Sequence, residues 1–494
     1  MAKEQERELI AQWAGRGPLS EDISRRSANA GHFRLGDNTY IAICHAKTVH
    51  YESAPGANDW DEVDEHLTAH ANGWRRERNY WQVEIADNYA APWPVTVQRR
   101  GGFELKHKAV AVGHMARDRT LTMLQKAQAS AATRIAVADH ADTILYPQVF
   151  TDVDILYHLG NDRLSKEVVI SEAAKQRLRQ TIAVQGLDAH GYLALALRLN
   201  FRGGGWSMGL RQGEETEGDI RLLPPDGQKH RGRDRLPRPA VWDGRGFFTP
   251  PPPMLTRLVN LPEYGPTLLY LLPLDWLRES VGDVAIDPAY YGGTEDGHIF
   301  GINILYATAR ATSTGGNDTA ITAYIGQTIT SGTYYVYRTY LSFDTSSIPD
   351  AATVTAATLY VCAAYDYSTT NFLIQCYRYA WSEPLLDYRE ANYDGAYGAS
   401  ATLEGTLRNT AYGWSDGTYY NMAVSPAGIN KAGDSKYTLV SKEDVDNSEP
   451  TTDEYVLIRT ADYSGTSSDP YLSVIYTEEK RRHPAHYMGE MAIV

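Results

Sequence analysis

The stretch that most constrains the fold is residues 334–343, YYVYRTYLSF, followed by the turn TSSIPDAATV and a second run, AATLYVCAA, at 356–364. Side chains alternate along a strand, so Tyr335, Tyr337, Thr339, Leu341 and Phe343 share one face while Arg338 and Tyr340 take the other. In the second run Ala357, Leu359, Val361 and Ala363 oppose Thr358, Tyr360 and Cys362. Two such runs joined by a Pro-containing turn predict neighbouring strands of a half-buried antiparallel sheet. Residues 371–381, 437–441, 454–461 and 471–477 repeat the pattern between loops rich in Gly, Ser, Thr, Asn and Asp. Many short strands with such loops predict a β-sandwich of jelly-roll type over residues 299–477.

The upstream half also reads as strands and turns, giving a mainly β chain with a β-rich domain over residues 31–290. Gly101–Gly102 marks a hairpin turn, residues 146–159 a strand, 164–170 its hairpin mate and 191–201 a strong strand. The run TLTMLQKAQASAA stays open as a helix, and residues 171–179 predict one or two helical turns. Residues 211–253 differ: acidic GEETEGD, basic KHRGRDRLPRP and four prolines at 250–253 predict a charged excursion. Either it is solvated or its opposite charges pair with a neighbouring subunit. Gly292, Gly293 and Gly297 mark the domain boundary. Residues 1–30 form an expected arm with a short amphipathic helix at 3–14, carrying Leu9, Ile10 and Trp13 on one side. Residues 478–494 form an expected tail that docks elsewhere or frays.

Charge excludes one class of function. Lys and Arg number 47 against 61 Asp and Glu, for a net charge of −14, which opposes general nucleic-acid binding. The 34 tyrosines against 9 phenylalanines suit strands and amphipathic contact surfaces. Cys44, Cys362 and Cys376 have no metal-site spacing; Cys362 and Cys376 could meet across neighbouring strands, and reduced buried thiols are the expectation. The first residues hold no apolar signal core, and no run reaches the roughly 18 apolar residues of a membrane helix. The expectation is assembly in a cytoplasm without membrane insertion.

With these residues in view, the chain from Arg338 to Asp344, followed by Ala356 to Leu359, Trp381 to Glu383 and Asp469 to Leu472, resembles the DNRLRE-type, carbohydrate-binding-module-like sandwich. That family carries an R-x-Y-L-x-F-D strand, an apolar second strand, a Trp-Glu segment and a closing D-P-Y-L strand. NDTAI at residues 317–321 is similar to its first strand, although the six-letter string naming the family is absent here. YPQVFTDVDILYHLGNDRLSKEVVI and LDWLRESVGDVAIDP are similar to segments that precede this domain in bacterial Rhs-type or wall-associated surface proteins and in tailed-phage structural proteins. The resemblance implies a non-enzymatic virion protein, oligomeric and conceivably trimeric, acting as capsid decoration, head fibre or tail-associated protein. Its implied partners are other virion proteins and copies of itself. The alternative is a surface adhesin that binds host glycans.

Several groups are candidates for chemistry. Gly205-Trp206-Ser207-Met208-Gly209 matches the G-x-S-x-G elbow of serine hydrolases, which needs a strand before Ser207 and a helix after it. The strand is expected and the helix is not, so a Gly-rich hairpin turn is the preferred reading and no catalytic residue is assigned. His66 and His70 have i, i+4 spacing, but Leu67 stands where a zinc peptidase needs Glu. Asp366, Asp387, Glu390 and Asp394, and Glu443, Asp444 and Asp446, offer oxygen ligands for Ca²⁺ without EF-hand spacing; solvated turns are preferred and no cofactor is assigned. Tyr388, Tyr393, Tyr397, Tyr412, Trp414, Tyr419 and Tyr420 suit stacking on sugars or packing between subunits.

Overall fold

The structure is a computed structural model. It describes residues 20–478 except 37, 53–56, 58, 65, 80, 100–102, 137–141, 160–162, 203–206, 224–234, 237–238, 246–253, 288–289, 292–295, 319, 384, 387 and 464–467. The expected helix at 3–14, the Gly101–Gly102 turn and all but the first residue of the expected tail lie outside the described residues. The fold is mainly β, with 54% strand and 11% helix.

Residues 66–291 build two ten-stranded antiparallel sheets. Long strands Glu104–Met115, Tyr192–Arg202 and Gly265–Pro273 lie together in the first. Asp142–Phe150, Val153–Leu159 and Arg163–Ile170 form a meander in the second. Val83, Ile85, Val97, Leu105, Leu195 and Leu197 from one sheet meet Ile144, Tyr146, Ile155, Tyr157 and Val168 from the other in one continuous core. The expected strand at 146–159 is two, divided at Thr151 and Asp152, with Asp152 at φ 60°. An Asp tolerates that left-handed conformation better than most residues, and it permits the tight reversal. The open helix in TLTMLQKAQASAA is instead the strand Leu121–Lys126, paired with Ala111–Met115. The helix begun at Ser171 runs further than expected, Glu172–Val184, and Ser171 caps it by accepting from the Ala174 N–H at 3.2 Å.

A fourteen-stranded sheet curls over a second core made of Ala323, Ile325, Leu341, Phe343, Leu359, Val361, Leu439, Val456, Leu472 and Val474. The strand Thr353–Asp366 turns the corner. Its first part pairs with Tyr471–Thr477 and Tyr419–Val424, and after a register shift between Ala363 and Tyr365 its end pairs with Glu454–Arg459. A bulge of this kind bends a strand and lets one sheet become two layers.

Residues 31–45 were expected in the upstream domain, but they belong to this sheet. Thr39–His45 pairs along Tyr471–Thr477, from Thr39↔Thr477 to His45↔Tyr471. Tyr40, Ala42 and Cys44 alternate into the sandwich core, which gives the strand its reason to be there. Arg25 closes the arrangement with a bidentate contact to Glu478 at 2.5 and 3.0 Å, and it lies 4.2 Å over the Tyr40 ring. Lys47 and Asp469, both buried, pair at 3.1 Å.

The charged excursion is also not simply solvated. Arg235 of the basic block is fully buried, 3.1 Å from Asp219 of the acidic block and 2.8 Å from Asp318 of the sandwich. The two blocks meet within one chain, and the sandwich shares the cation. Replacing Arg235 by Ala leaves two buried carboxylates without this cation. It should destabilise the fold by about 3–5 kcal/mol and split one calorimetric unfolding transition into two. An unshifted single transition would show that this contact does not couple the two β bodies.

Candidate binding surface on the sandwich

The strand Thr333–Asp344 positions two things, one on each face. On the face toward the short helices, near the strand's middle, lies Arg338, 1% exposed. Its guanidinium donates to both Asp444 oxygens at 2.8 and 3.1 Å, to the Tyr393 carbonyl at 2.6 Å and to the Arg310 carbonyl at 2.9 Å. The Tyr397 hydroxyl lies 3.0 Å away. The Tyr393 and Tyr397 rings cover its flat faces at 3.7 and 4.6 Å. Asp444 also receives Arg310 at 3.1 Å, and its own N–H is held by the Ser441 hydroxyl at 3.0 Å. Three short helices, Tyr306–Ala311, Arg389–Gly395 and Lys442–Val445, are thereby tied to one strand.

The second feature is a strip of aromatic rings spread over five strands. Tyr324 stacks on Tyr337 at 5.0 Å and 30°, and on Tyr455 at 6.1 Å and 28°. Tyr367 stacks on Tyr455 at 5.2 Å and 20°, and Tyr335 lies near-parallel to Tyr337 at 6.4 Å. His298 sits 4.9 Å from Tyr324, and Phe300 packs edge-on against Tyr337. Tyr337 and His298 are buried beneath, Tyr324, Tyr335 and Tyr455 are half-buried, and Tyr365 and Tyr367 stand out at 55% and 48% exposure.

Gly326 makes the strip possible. It pairs with both Tyr337 and Tyr455 at φ +122°, and a Cβ there would lie 2.0 Å from the Glu454 carbonyl oxygen. Without a side chain between them, the two tyrosine rings come within 5.9 Å. Burial, with neighbouring phenols adding to it, pushes the Tyr337 hydroxyl well up and takes Tyr455 to about 12. Burial takes His298 down to about 3. Tyr337, Tyr455 and His298 are therefore neutral near pH 7, suited to stacking and hydrogen bonding rather than proton transfer.

The residues singled out from sequence mostly serve the fold. Ser207 is exposed in a two-residue strand paired with Leu223, and the next described element is the strand Glu215–Thr216, so the helix an elbow needs after Ser207 is not found; Gly205 and Trp206 lie outside the described residues. His66 and His70 belong to an exposed edge segment whose strand is Thr68–His70, where i, i+4 spacing does not bring rings together. Asp366 accepts from the Ser368 N–H, Glu390 from Ser313, Glu443 from Leu373, and Asp444 binds two arginines. Asp387 lies outside the described residues. Among the described residues no group of three or more His, Cys, Asp or Glu is placed to hold a metal. Cys44, Cys362 and Cys376 are free and buried.

Of the seven aromatics, Tyr393 and Tyr397 clasp Arg338. Trp414, 5% exposed, stacks on Tyr420 at 4.7 Å and donates to the Leu457 carbonyl, and Tyr419 donates to the Asp469 carbonyl. Tyr388 and Tyr412 stay exposed. A hydroxyl–imidazole–carboxylate chain that the sequence did not suggest joins Thr143, His158 and Glu167 at 2.9 and 3.1 Å, but Thr143 is 0% exposed and out of reach of a substrate. The strip itself was visible only as tyrosines at alternate positions in separate strands, because their pairing depends on register.

Replacing Gly326 by Ala should break the strip and cost more than the ordinary penalty of about 1 kcal/mol for strain at positive φ, since the added atom meets backbone. His298 adds a pH signature. Its folded pKa lies below the unfolded value near 6.5, so the unfolded state takes up protons first, and stability falls as pH drops from about 6.5 toward 3. His298→Phe should flatten that part of the stability profile, measured by urea unfolding; an unchanged slope would assign the acid sensitivity elsewhere.

No family model matches this chain, and no curated protein matches it. Among solved structures, the N-terminal domain of a Streptococcus gordonii adhesin is aligned over 94% of this chain and 100% of that one. The identity is 8% and the TM-score 0.14, which carries no argument about fold or function.

Proposed function

We propose that this chain is a non-enzymatic structural protein of a tailed-phage virion that works through contact surfaces. The observation that carries the reading is the aromatic strip: rings packed against one another, spread over five strands and partly open to solvent. Tyrosine is enriched at protein interfaces because it presents large area with little side-chain entropy to lose. The motif residues behind the DNRLRE resemblance support an architectural role, since Arg338 and Asp469 both sit in buried ion pairs.

The same strip favours a second reading, a glycan-binding surface, because phenol rings open to solvent, as Tyr365 and Tyr367 are, suit the apolar face of a sugar ring. Tyr365 and Tyr367 are then the residues to test, rather than the buried Trp414.

The double substitution Tyr365→Ser and Tyr367→Ser should leave the melting temperature within a few degrees, as exposed changes do, while abolishing self-association or attachment to particles. Copy number in purified particles by mass spectrometry and mass in solution by light scattering are the measurements. A wild-type monomer absent from particles would overturn the virion reading. Glycan binding that disappears in the same variant would select the second.

A further inference from the structure

We propose that a cleft in the upstream β body, beside Arg198, binds an acidic sugar through its carboxylate. The cleft has a volume of about 490 Å³, and its wall includes Trp93, Arg198, Asn200, Phe201, Glu263 and Tyr264. That is within the size range of small-ligand sites, about 300–1,000 Å³.

The argument begins with charge. Arg198 lies on the strand Tyr192–Arg202, directly opposite Lys108 on Glu104–Met115. Like charges facing each other across an antiparallel pair repel. Both side chains are half-buried, which sharpens the repulsion. Lys108 donates to the Ala91 carbonyl at 3.0 Å and lies 5.7 Å from the centre of the Tyr89 ring. Arg198 rests 4.3 Å over the Trp93 ring and, among the described residues, meets no carboxylate. Burial first, and then Arg198, lower the Lys108 pKa. Among the described residues no acid pairs with either of these two facing cations, although the chain carries a net charge of −14. Lys106, one pleat along, shows the usual arrangement, paired with Glu104 at 3.0 Å.

The geometry completes the site. Arg198 sits over the Trp93 indole with no carboxylate against it among the described residues, and guanidinium N–H groups grip a carboxylate in two-point fashion. Arg198 belongs to a strand paired on both sides, by Glu104–Met115 and by Gly265–Pro273, so its base is rigid. The neighbouring Asn200 amide and Tyr264 phenol supply the hydrogen bonding that sugar hydroxyls need. Glu263, also in the cleft wall, pairs with Lys126 at 2.6 Å. The site is separate from the aromatic strip and stands whether or not the virion reading does.

The test is titration of the full chain with galacturonate, galactose and glycerol phosphate by calorimetry. Galacturonate should bind with a Kd on the order of 1 mM or tighter, weaken as salt rises, and exceed galactose by at least about tenfold. Arg198→Gln should remove binding and leave thermal stability unchanged or slightly raised, because it relieves the repulsion with Lys108. Asn200→Ala should weaken binding without changing the fold. Tighter binding of glycerol phosphate than of galacturonate would keep the oxyanion site and overturn the carboxylate assignment. Equal binding of galactose, binding unaffected by Arg198→Gln, or no binding by either anion would overturn the proposal.

Discussion

A guanidinium taken out of water has to be satisfied on every side, and that requirement organises the sandwich. Arg338 presents five N–H donors and two flat faces. Asp444, two backbone carbonyls, a phenol and two tyrosine rings answer them. These groups come from residues 310, 393, 397 and 444, far apart along the chain. Desolvating one charge is costly unless all its partners arrive together. The cation therefore gives these connections a strong reason to adopt one arrangement, and the short helices that carry them are too small to hold a fixed pose alone.

The same device recurs wherever distant segments meet. Lys47 and Asp469 join the early strands to the closing strand, and Arg25 with Glu478 joins the residues that flank them. Arg235 ties the upstream body to the sandwich through Asp219 and Asp318. Surface ion pairs contribute little to stability, but a buried pair punishes any arrangement that separates it. An acidic chain with few cations thus places several of them where they fix topology. Arg198 differs from these in resting on an indole with no acid against it among the described residues.

What the sequence disclosed follows the range of the forces involved. Alternation is local, so the strands around Leu341, Leu359 and Leu195 were legible, and so was the mainly β class. Register and pairing are not local. Nothing in HFRLGDNTYIAICHA announces that Tyr40 and Ala42 lie beside Tyr476 and Val474, more than four hundred residues away. The strand Leu121–Lys126 resembled a helix because its residues have weak preferences and its neighbour on Glu104–Met115 decided the matter. Trp414 suited a contact with a sugar or a neighbouring subunit because composition does not reveal which face of a ring the protein itself covers. The acidic and basic blocks looked solvated for the same reason: their shared contact at Arg235 exists only once both β bodies are folded.

The strip and the hub are two consequences of one strand. Arg338 fixes where Thr333–Asp344 sits relative to the loops, and the same backbone carries Tyr335 and the buried Tyr337 on its other face. Gly326 then lets the neighbouring strand approach closely enough for Tyr324 and Tyr455 to join them. A contact surface made of rings on paired strands loses little entropy when something docks on it, because the rings are already held by one another. The buried polar network and the aromatic strip are therefore linked in energy: loosening the first would let the strand shift, and the second would lose the register that brings its rings together.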